Sequence, residues 1–266
     1  MLLHYGERGV TEACIESIRR LGYACDHEIL VVDNDPEPSS WDEAGVAHVV
    51  TTHNVGFSAA NNAGYTYARD VLKADMVIAC NNDLVFSAGE FPESVLASYA
   101  ASDVCVVSPD IVKVGTGVHQ SPIDTRLRTR EEASRTIRLN KLALAVYPLA
   151  YPFLRSQLKG QTQTAADVPA GTEDIVPCGA CIIFTKKFID AETELFTPAT
   201  EFYYEEYILA ARCRKNGYRI VYDPALRVGH IDAAATSSAS AGDYARIRRK
   251  MRLITASAEV YLSQID

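Results

Sequence analysis

The run Asn81-Asn82-Asp83-Leu84 directly follows the apolar stretch Met76-Val77-Ile78-Ala79-Cys80. Such a stretch reads as a buried strand, and the polar loop behind it delivers one carboxylate to the strand's carboxyl end. An α/β sheet presents a metal-diphosphate group at that edge, so the pattern points towards nucleotide-sugar chemistry. Asn and Asp also end strands simply by favouring turns, and the tetrapeptide alone leaves both readings open.

Three more segments carry polar groups that could act. Val31-Val32-Asp33-Asn34 closes a second apolar run. A carboxylate there can accept a hydrogen bond from the ring N–H of a pyrimidine, although Asp33-Asn34-Asp35-Pro36 also reads as a plain turn. In Asn54-Val55-Gly56-Phe57-Ser58-Ala59-Ala60-Asn61-Asn62-Ala63-Gly64, Gly56 permits an unusual backbone conformation and Ser58 stands where it can cap the following helix. The small Ala59, Ala60 and Ala63 let that helix approach a nucleotide or the sheet, and its N-terminus is a natural place for an anion. Glu205 and Glu206 open a further helix, where successive side chains diverge by roughly 100° and only one can readily face a cleft. A glutamate so placed has the chemistry to accept a proton; equally, the two acids complement the helix dipole, with Arg212, Arg214 and Lys215 at the other end.

The elements that must position these groups alternate through the first 110 residues. Strands are expected at Leu2–Tyr5, Glu28–Val32, Val46–Thr51, Met76–Cys80 and Val104–Ser108, and helices at Val10–Leu21, Ser58–Leu72 and Phe91–Ala100. This predicts a largely parallel sheet covered on both faces. Residues 112–174 break the pattern. Arg126, Arg128, Arg130, Arg135, Arg138 and Lys141 lead into the apolar run Leu142–Leu149, with Pro148 and Pro152 as interruptions. That stretch reads first as a solvated helix capping a core and second as a segment lying on an anionic bilayer. Gly160–Thr172 reads as a flexible loop. Ile175–Thr185 then reads as a strand, Glu205–Lys215 as a helix stopped by Gly217, Arg219–Tyr222 as a short strand before Pro224, Ala233–Gly242 as a Ser-rich loop, and Tyr244–Tyr261 as a basic helix.

At 266 residues with apolar residues evenly spread, the chain is expected to fold as one unit. A net charge of -8 argues against nucleic-acid binding, which needs a basic surface. No apolar run reaches the length of a membrane span, and Met1-Leu2-Leu3-His4-Tyr5 is too short for a signal peptide, so a cytoplasmic location is expected. Seven cysteines, an odd number set mostly in apolar runs, suggest reduced core thiols. Cys178-Gly179-Ala180-Cys181 lacks the second pair a zinc site requires and reads as packing.

In order and spacing, the four polar segments resemble the family 2 inverting glycosyltransferases, particularly the rhamnosyltransferase-like branch that builds bacterial surface polysaccharides. The resemblance covers nearly the whole chain except the middle insertion. It implies a GT-A, Rossmann-like fold: a mostly parallel central sheet flanked by helices, with a helical or loop insertion and a C-terminal helix. Residues 1–110 would form the nucleotide-sugar half, 111–174 the insertion that sets acceptor choice, 175–236 the acceptor and catalytic half, and 237–266 the last helix. The implied activity is metal-dependent transfer of a sugar from a pyrimidine diphosphate donor to a glycan or lipid-linked glycan, with inversion. dTDP-L-rhamnose is the donor suggested by the branch, and Mg²⁺ or Mn²⁺ the cofactor. Carried onto this chain, the family pattern gives donor contacts to Asp33, Asn54, Gly56, Asn62, Asn81 and Asp83. Asn81 and Asp83 stand where most relatives place two aspartates flanking one residue. Asp83 and His230, the latter in Arg227-Val228-Gly229-His230, would hold the metal. Alignment on Arg212 and Gly217 selects Glu206 as base, with Glu205 and Arg212 in support. Glu206 replaces the usual aspartate, and Ile208 stands where many relatives carry another acid. A noncatalytic nucleotide-sugar-binding subunit is the competing reading and predicts donor binding without turnover. A sugar nucleotidyltransferase would need a Gly-rich basic loop after the first strand, for which Gly6-Glu7-Arg8-Gly9 is a poor substitute.

Overall fold

The expected alternation appears as β1 (Leu2–His4), α1 (Arg8–Arg19), β2 (Leu30–Asp33), β3 (His48–Thr51), α2 (Phe57–Asp70), β4 (Val77–Asn81), β5 (Leu84–Val85), α3 (Glu93–Ser98) and β6 (Val104–Lys113). There follow β7 (Val118–His119), α4 (Arg130–Ala145), β8 (Cys181–Phe184), α5 (Lys186–Ala191), α6 (Glu205–Asn216), β9 (Arg219–His230) and α7 (Asp243–Gln264). This computed structural model describes residues 1–38, 40–42, 46–148, 151, 168–231 and 243–265. The expected loop at Ala233–Gly242, Pro152 and residues 160–167 of the expected Gly160–Thr172 loop lie outside them.

One sheet runs in the order β3-β2-β1-β4-β8-β6-β9-β5, with β7 paired to β6. The first four strands are mutually parallel, β6 and β9 are parallel, and β8 is antiparallel to both of its neighbours. Nearly every residue of β1, β2, β6 and β8 is buried, as a sheet covered on both faces requires. One apolar cluster gathers Tyr65 of α2, Ile137 of α4, Phe188 of α5, Leu209 of α6 and Tyr261 of α7. A second, containing Cys14 and Ile15 of α1 with Phe91 and Leu96, includes Val31, Cys80 and Cys181 from the sheet. A Cβ on Gly64 would collide with Val32 Cγ2 and Met1 Sδ, so the absence of a side chain lets α2 rest directly on the sheet.

Three expectations are corrected. The strand expected at Ile175–Thr185 is regular only from Cys181, because Pro177 and a turn closed by Cys181 N–H donating to Cys178 O (3.2 Å) interrupt it. The short strand before Pro224 instead runs on to His230. Pro109 pairs with Asp223 but Asp110 with Arg227, so Pro224 falls in a bulge where the ladder needs no N–H from it. Ser58 does not cap α2; its hydroxyl pairs with Thr200 Oγ1 at 3.0 Å, while Phe57 N–H donates to Glu201 O at 3.1 Å. The basic stretch is helical in α4, opened by a capping box between Thr129 and Glu132, and packs on α7.

Asn62 clamps the segment after α5. Its Oδ1 accepts from the N–H groups of Leu195 and Phe196, both at 3.0 Å, and its Nδ2 donates to Phe196 O at 2.7 Å. Arg212 of α6 reaches the same segment through Leu195 O and Glu192. Asn62→Ala is expected to cost roughly 1–3 kcal/mol in urea unfolding through unsatisfied backbone groups, and Asn62→Asp, which keeps the acceptor, clearly less. Equal losses in the two variants would remove the clamp.

Candidate active site

The parallel register lines up the polar ends of three strands. His4 of β1 pairs with Asp33 of β2, and Leu3 pairs with Asn81 of β4, so His4, Asp33 and Asn81 arrive together at one carboxyl edge. This is the edge at which α/β sheets bind ligands. The turn before β8 enters there too: Asn81 N–H donates to Ala180 O at 2.9 Å, and Gly179 N–H donates to Glu206 Oε1 at 3.3 Å. A Cβ on Gly179 would come within 2.5 Å of that oxygen, so the carboxylate rests against bare backbone.

β5 and β9 are antiparallel with Leu84 opposite His230, which brings Asp83 to the histidine. Asp83 Oδ2 lies 3.2 Å from His230 Nε2, and Asp83 O accepts from Ile231 N–H at 2.9 Å. His230 Nδ1 lies 2.6 Å from Gln120 Oε1, an oxygen that can only accept, so Nδ1 carries the proton and Nε2 is turned to the carboxylate. Nε2 then holds either a second proton or a lone pair open to a cation. A carboxylate oxygen and an imidazole nitrogen form a donor set that fits a divalent ion and suits Mn²⁺ better than Mg²⁺, which prefers oxygen alone. Gln120 would fix the ring as an outer partner does at metal sites.

The two glutamates differ. Glu206 is partly accessible, and burial raises its carboxyl above the ordinary glutamate value. Glu205 is 4 % exposed, and burial, followed by the neighbouring Glu206, pushes it up to about 8. Among the described residues, its Oε1 is a buried oxygen with no hydrogen-bond partner. The chain enters α6 through Tyr203 and Tyr204 at φ 73° and 65°, two bulky residues in the left-handed region. Packing holds the second of them: Arg128 donates to Tyr204 Oη at 2.8 Å and lies 5.3 Å from its ring centroid, while the Tyr261 ring packs against it, tilted, with centroids 5.6 Å apart.

Asn54 is exposed at φ 59°, two residues before Gly56 at φ 87°. Both line an open cleft of about 570 Å³ with Pro198, Ala199, Thr200, Glu201 and Arg249. A side chain on Gly56 would meet Glu201, so the two walls approach backbone to backbone. Asn62 and Arg212 do not line this cleft; they hold its far wall through residues 195 and 196. Asn34 Oδ1 accepts from Thr52 Oγ1 at 2.7 Å and Val55 N–H at 2.9 Å, tying the end of β2 to the Asn54 turn.

Asp33 is fully buried, with its two oxygens accepting from Asp35 N–H at 3.2 Å and Trp41 Nε1 at 2.9 Å. Its neighbour Asp35 is the more accessible acid and faces His4 Nε2 at 3.3 Å. Ligand atoms of His4, Asp33 and Asp35 lie within 4.8 Å of one another, a grouping that could hold a metal ion. Each already has a protein partner, however: His4 Nδ1 bonds Thr11 Oγ1 at 2.7 Å, and Asp35 Oδ2 accepts from Gly6 N–H at 2.6 Å. Burial lowers the His4 pKa and keeps the ring neutral. This network is satisfied within the protein, as is the Asp83–His230 pair through Gln120 and the Ile231 N–H.

The sequence pattern of glycosyl transferase family 2 matches residues 2–158, more than half of the chain. The chain belongs to glycosyl transferase family 2. Its mixed α/β architecture, a central sheet flanked by helices with a C-terminal helix, is that of the family's GT-A fold. The matched range holds Asp33, the Asn54–Asn62 string and Asp83, whereas Glu206 and His230 lie beyond it. Among solved structures, a mycobacterial protein aligns over all of this chain and 74 % of its own at 14 % identity, with a TM-score of 0.48. Glucosyl-3-phosphoglycerate synthase from Mycobacterium tuberculosis, crystallised with Mn²⁺, UDP-glucose and phosphoglyceric acid, aligns over all of this chain and 79 % of its own at 14 % identity, with a TM-score of 0.49. No curated protein matches the chain.

Sequence reasoning passed over His4, Trp41, Gln120, Arg128 and Gly179. Only Gly179, inside the CxxC string, carried a local signal. All seven cysteines are free, and six are buried or partly so, as packing thiols should be. Glu205 provides a test. An acid whose folded pKa of about 8 exceeds the ordinary 4.5 binds its proton more tightly when folded. Folding therefore loses stability as pH climbs from about 4.5 towards 8. Glu205→Gln should raise the melting temperature above wild type at pH 9 and converge with it near pH 4. A constant difference across that range would show that Glu205 titrates normally.

Proposed function

We propose that the chain is a metal-dependent inverting glycosyltransferase with Glu206 as its general base. The observation that carries the reading is the hydrogen-bonded connection from Glu206 through Gly179 and Ala180 to Asn81, two residues from Asp83. This connection supports a reading in which a proton acceptor and a cation-binding pair share one sheet edge.

In the proposed reaction an acceptor hydroxyl attacks the anomeric carbon of a nucleoside diphosphate sugar in line with the departing diphosphate. Glu206 Oε2 takes the hydroxyl proton as the new C–O bond forms. The bond from the anomeric carbon to the diphosphate oxygen breaks, and its electron pair leaves with the nucleoside diphosphate. Gly179 N–H holds Oε1 and turns the other oxygen towards the acceptor. The raised pKa makes Glu206 a stronger base than an ordinary glutamate, and Glu205, protonated at neutral pH, adds no second negative charge beside it. Asp83 and His230 would hold a divalent cation, which when bound offsets charge on the leaving diphosphate. The Asn54–Gly56 turn and the N-terminus of α2 would face the donor. The donor is proposed to be a pyrimidine nucleotide, with dTDP-L-rhamnose favoured by resemblance to the rhamnosyltransferase-like branch. The acceptor is a glycan or lipid-linked glycan, selected by residues 111–174.

Glu206→Gln is expected to keep donor binding while turnover, read as nucleoside diphosphate release, falls 10²- to 10⁴-fold. In wild type the rate should fall on acidification at a pH above that of an ordinary glutamate. An unchanged rate in the variant would take Glu206 out of the mechanism, and donor binding without turnover in wild type would favour the noncatalytic subunit. Calorimetry with Mn²⁺ separates the two metal candidates: Asp83→Asn and His230→Ala should each weaken binding at least tenfold, whereas His4→Ala should not. The reverse order would move the cation to His4 and Asp35.

A further inference from the structure

α4 is apolar on two opposite faces. Ala133 and Ile137 are buried against the body of the protein, as is Tyr147 just past the helix end. Leu139, Leu142 and Val146 continue a line from Arg135 at spacings of four, three and four, which at roughly 100° per residue forms one stripe pointing away from the core. These three apolar side chains are 54 %, 64 % and 44 % exposed. Arg135 and Arg138 are exposed on the same side, and the acids of α4 are confined to its first turn at Glu131 and Glu132.

α7 runs antiparallel beside it, as the bonds from Tyr147 Oη to Tyr244 O (2.8 Å) and from Lys141 to Glu259 (2.6 Å) show. The first turns of α7 therefore lie next to Leu142 and Val146. Five of the nine residues from Tyr244 to Arg252 are Arg or Lys and none is acidic, in a chain whose net charge is -8. Arg248 lies 6.0 Å from the Tyr147 ring centroid on the α4 side, and Arg249 pairs with Glu201 at the rim of the Asn54 cleft. Among the described residues, no helix is long and apolar enough to cross a membrane.

We infer that the outer face of α4 and the basic first half of α7 form a docking surface for an anionic lipid bilayer, with Leu139, Leu142 and Val146 entering the interface. Charge chooses this occupant over a second copy of the chain. Self-pairing along the stripe brings Arg135 and Arg138 of both copies onto one interface, with no acid between Glu132 and Val146 to offset them. A negatively charged leaflet attracts the same residues. The surface ends at the rim of the cleft, so a docked protein would hold that cleft at headgroup level. The inference goes beyond the proposed reaction, since bilayer binding is measured without donor or acceptor.

The test is co-sedimentation of the purified full chain with vesicles of phosphatidylcholine alone or mixed with phosphatidylglycerol. Binding is expected only to the anionic vesicles and should be lost in 0.5 M salt. Removing one basic residue, as in Arg252→Gln, should weaken binding about fivefold, and Leu142→Glu at least tenfold. Arg20→Glu, exposed just past the end of α1, should leave it unchanged. Circular dichroism verifies that the variants fold, and sedimentation velocity reports the oligomeric state. Equal binding to both vesicle types, equal losses for Arg20→Glu and Leu142→Glu, or a dimer abolished by Leu142→Glu with no vesicle binding would each overturn the inference.

Discussion

Two backbone N–H groups around the turn before β8 tie the candidate site together. Asn81 N–H meets Ala180 O, and Gly179 N–H meets the Glu206 carboxylate. The first is the last rung of the antiparallel pairing of β4 with β8, so it is as firm as the sheet itself. The second makes a side chain from a distant helix answer to that rung. Because β8 runs against both of its neighbours, the chain passes the carboxyl edge of the parallel strands from the opposite direction and leaves backbone there. A wholly parallel sheet would place a helix connection on one face instead.

α6 places acidic groups where burial disfavours charge. Glu205 is enclosed, Glu206 is next to it, and the two tyrosines before them adopt a backbone conformation that such residues avoid. None of these features stabilises the fold by itself. Each persists because the surroundings are over-determined: the Tyr204 ring lies among Arg128, Tyr207 and Tyr261, and the loop before α6 is held through Asn62 and Arg212. Concentrated local cost supported by dense packing nearby is the usual signature of a site that acts on a ligand.

Much of this was legible in the residues. Short apolar runs bounded by polar residues gave β1, β2 and β4, and the period of α1 and α2 was plain, because both faces of the sheet are covered and most residues of these strands are apolar. The pairing of Asp83 with His230 was reachable only by resemblance, since nothing local tells a strand to run past Pro224 and return to β5. Its continuation depends on a bulge that only the register with β6 creates. Asn62 illustrates the opposite case. Its place in a distinctive string marks it for a ligand, and in the fold its side chain serves three backbone groups of another segment. Arg128 and Gln120 lie where periodicity is silent, and their partners are more than 70 residues away.

The contact at Gly64 has a further consequence. With Val32 Cγ2 and Met1 Sδ already filling the space where a side chain would begin, α2 can come no closer to the sheet at this point. Its first turn, with Gly56 set against Glu201, is thus held in place before any partner arrives. A molecule settling there would find its wall already ordered and would forfeit little chain entropy on arrival.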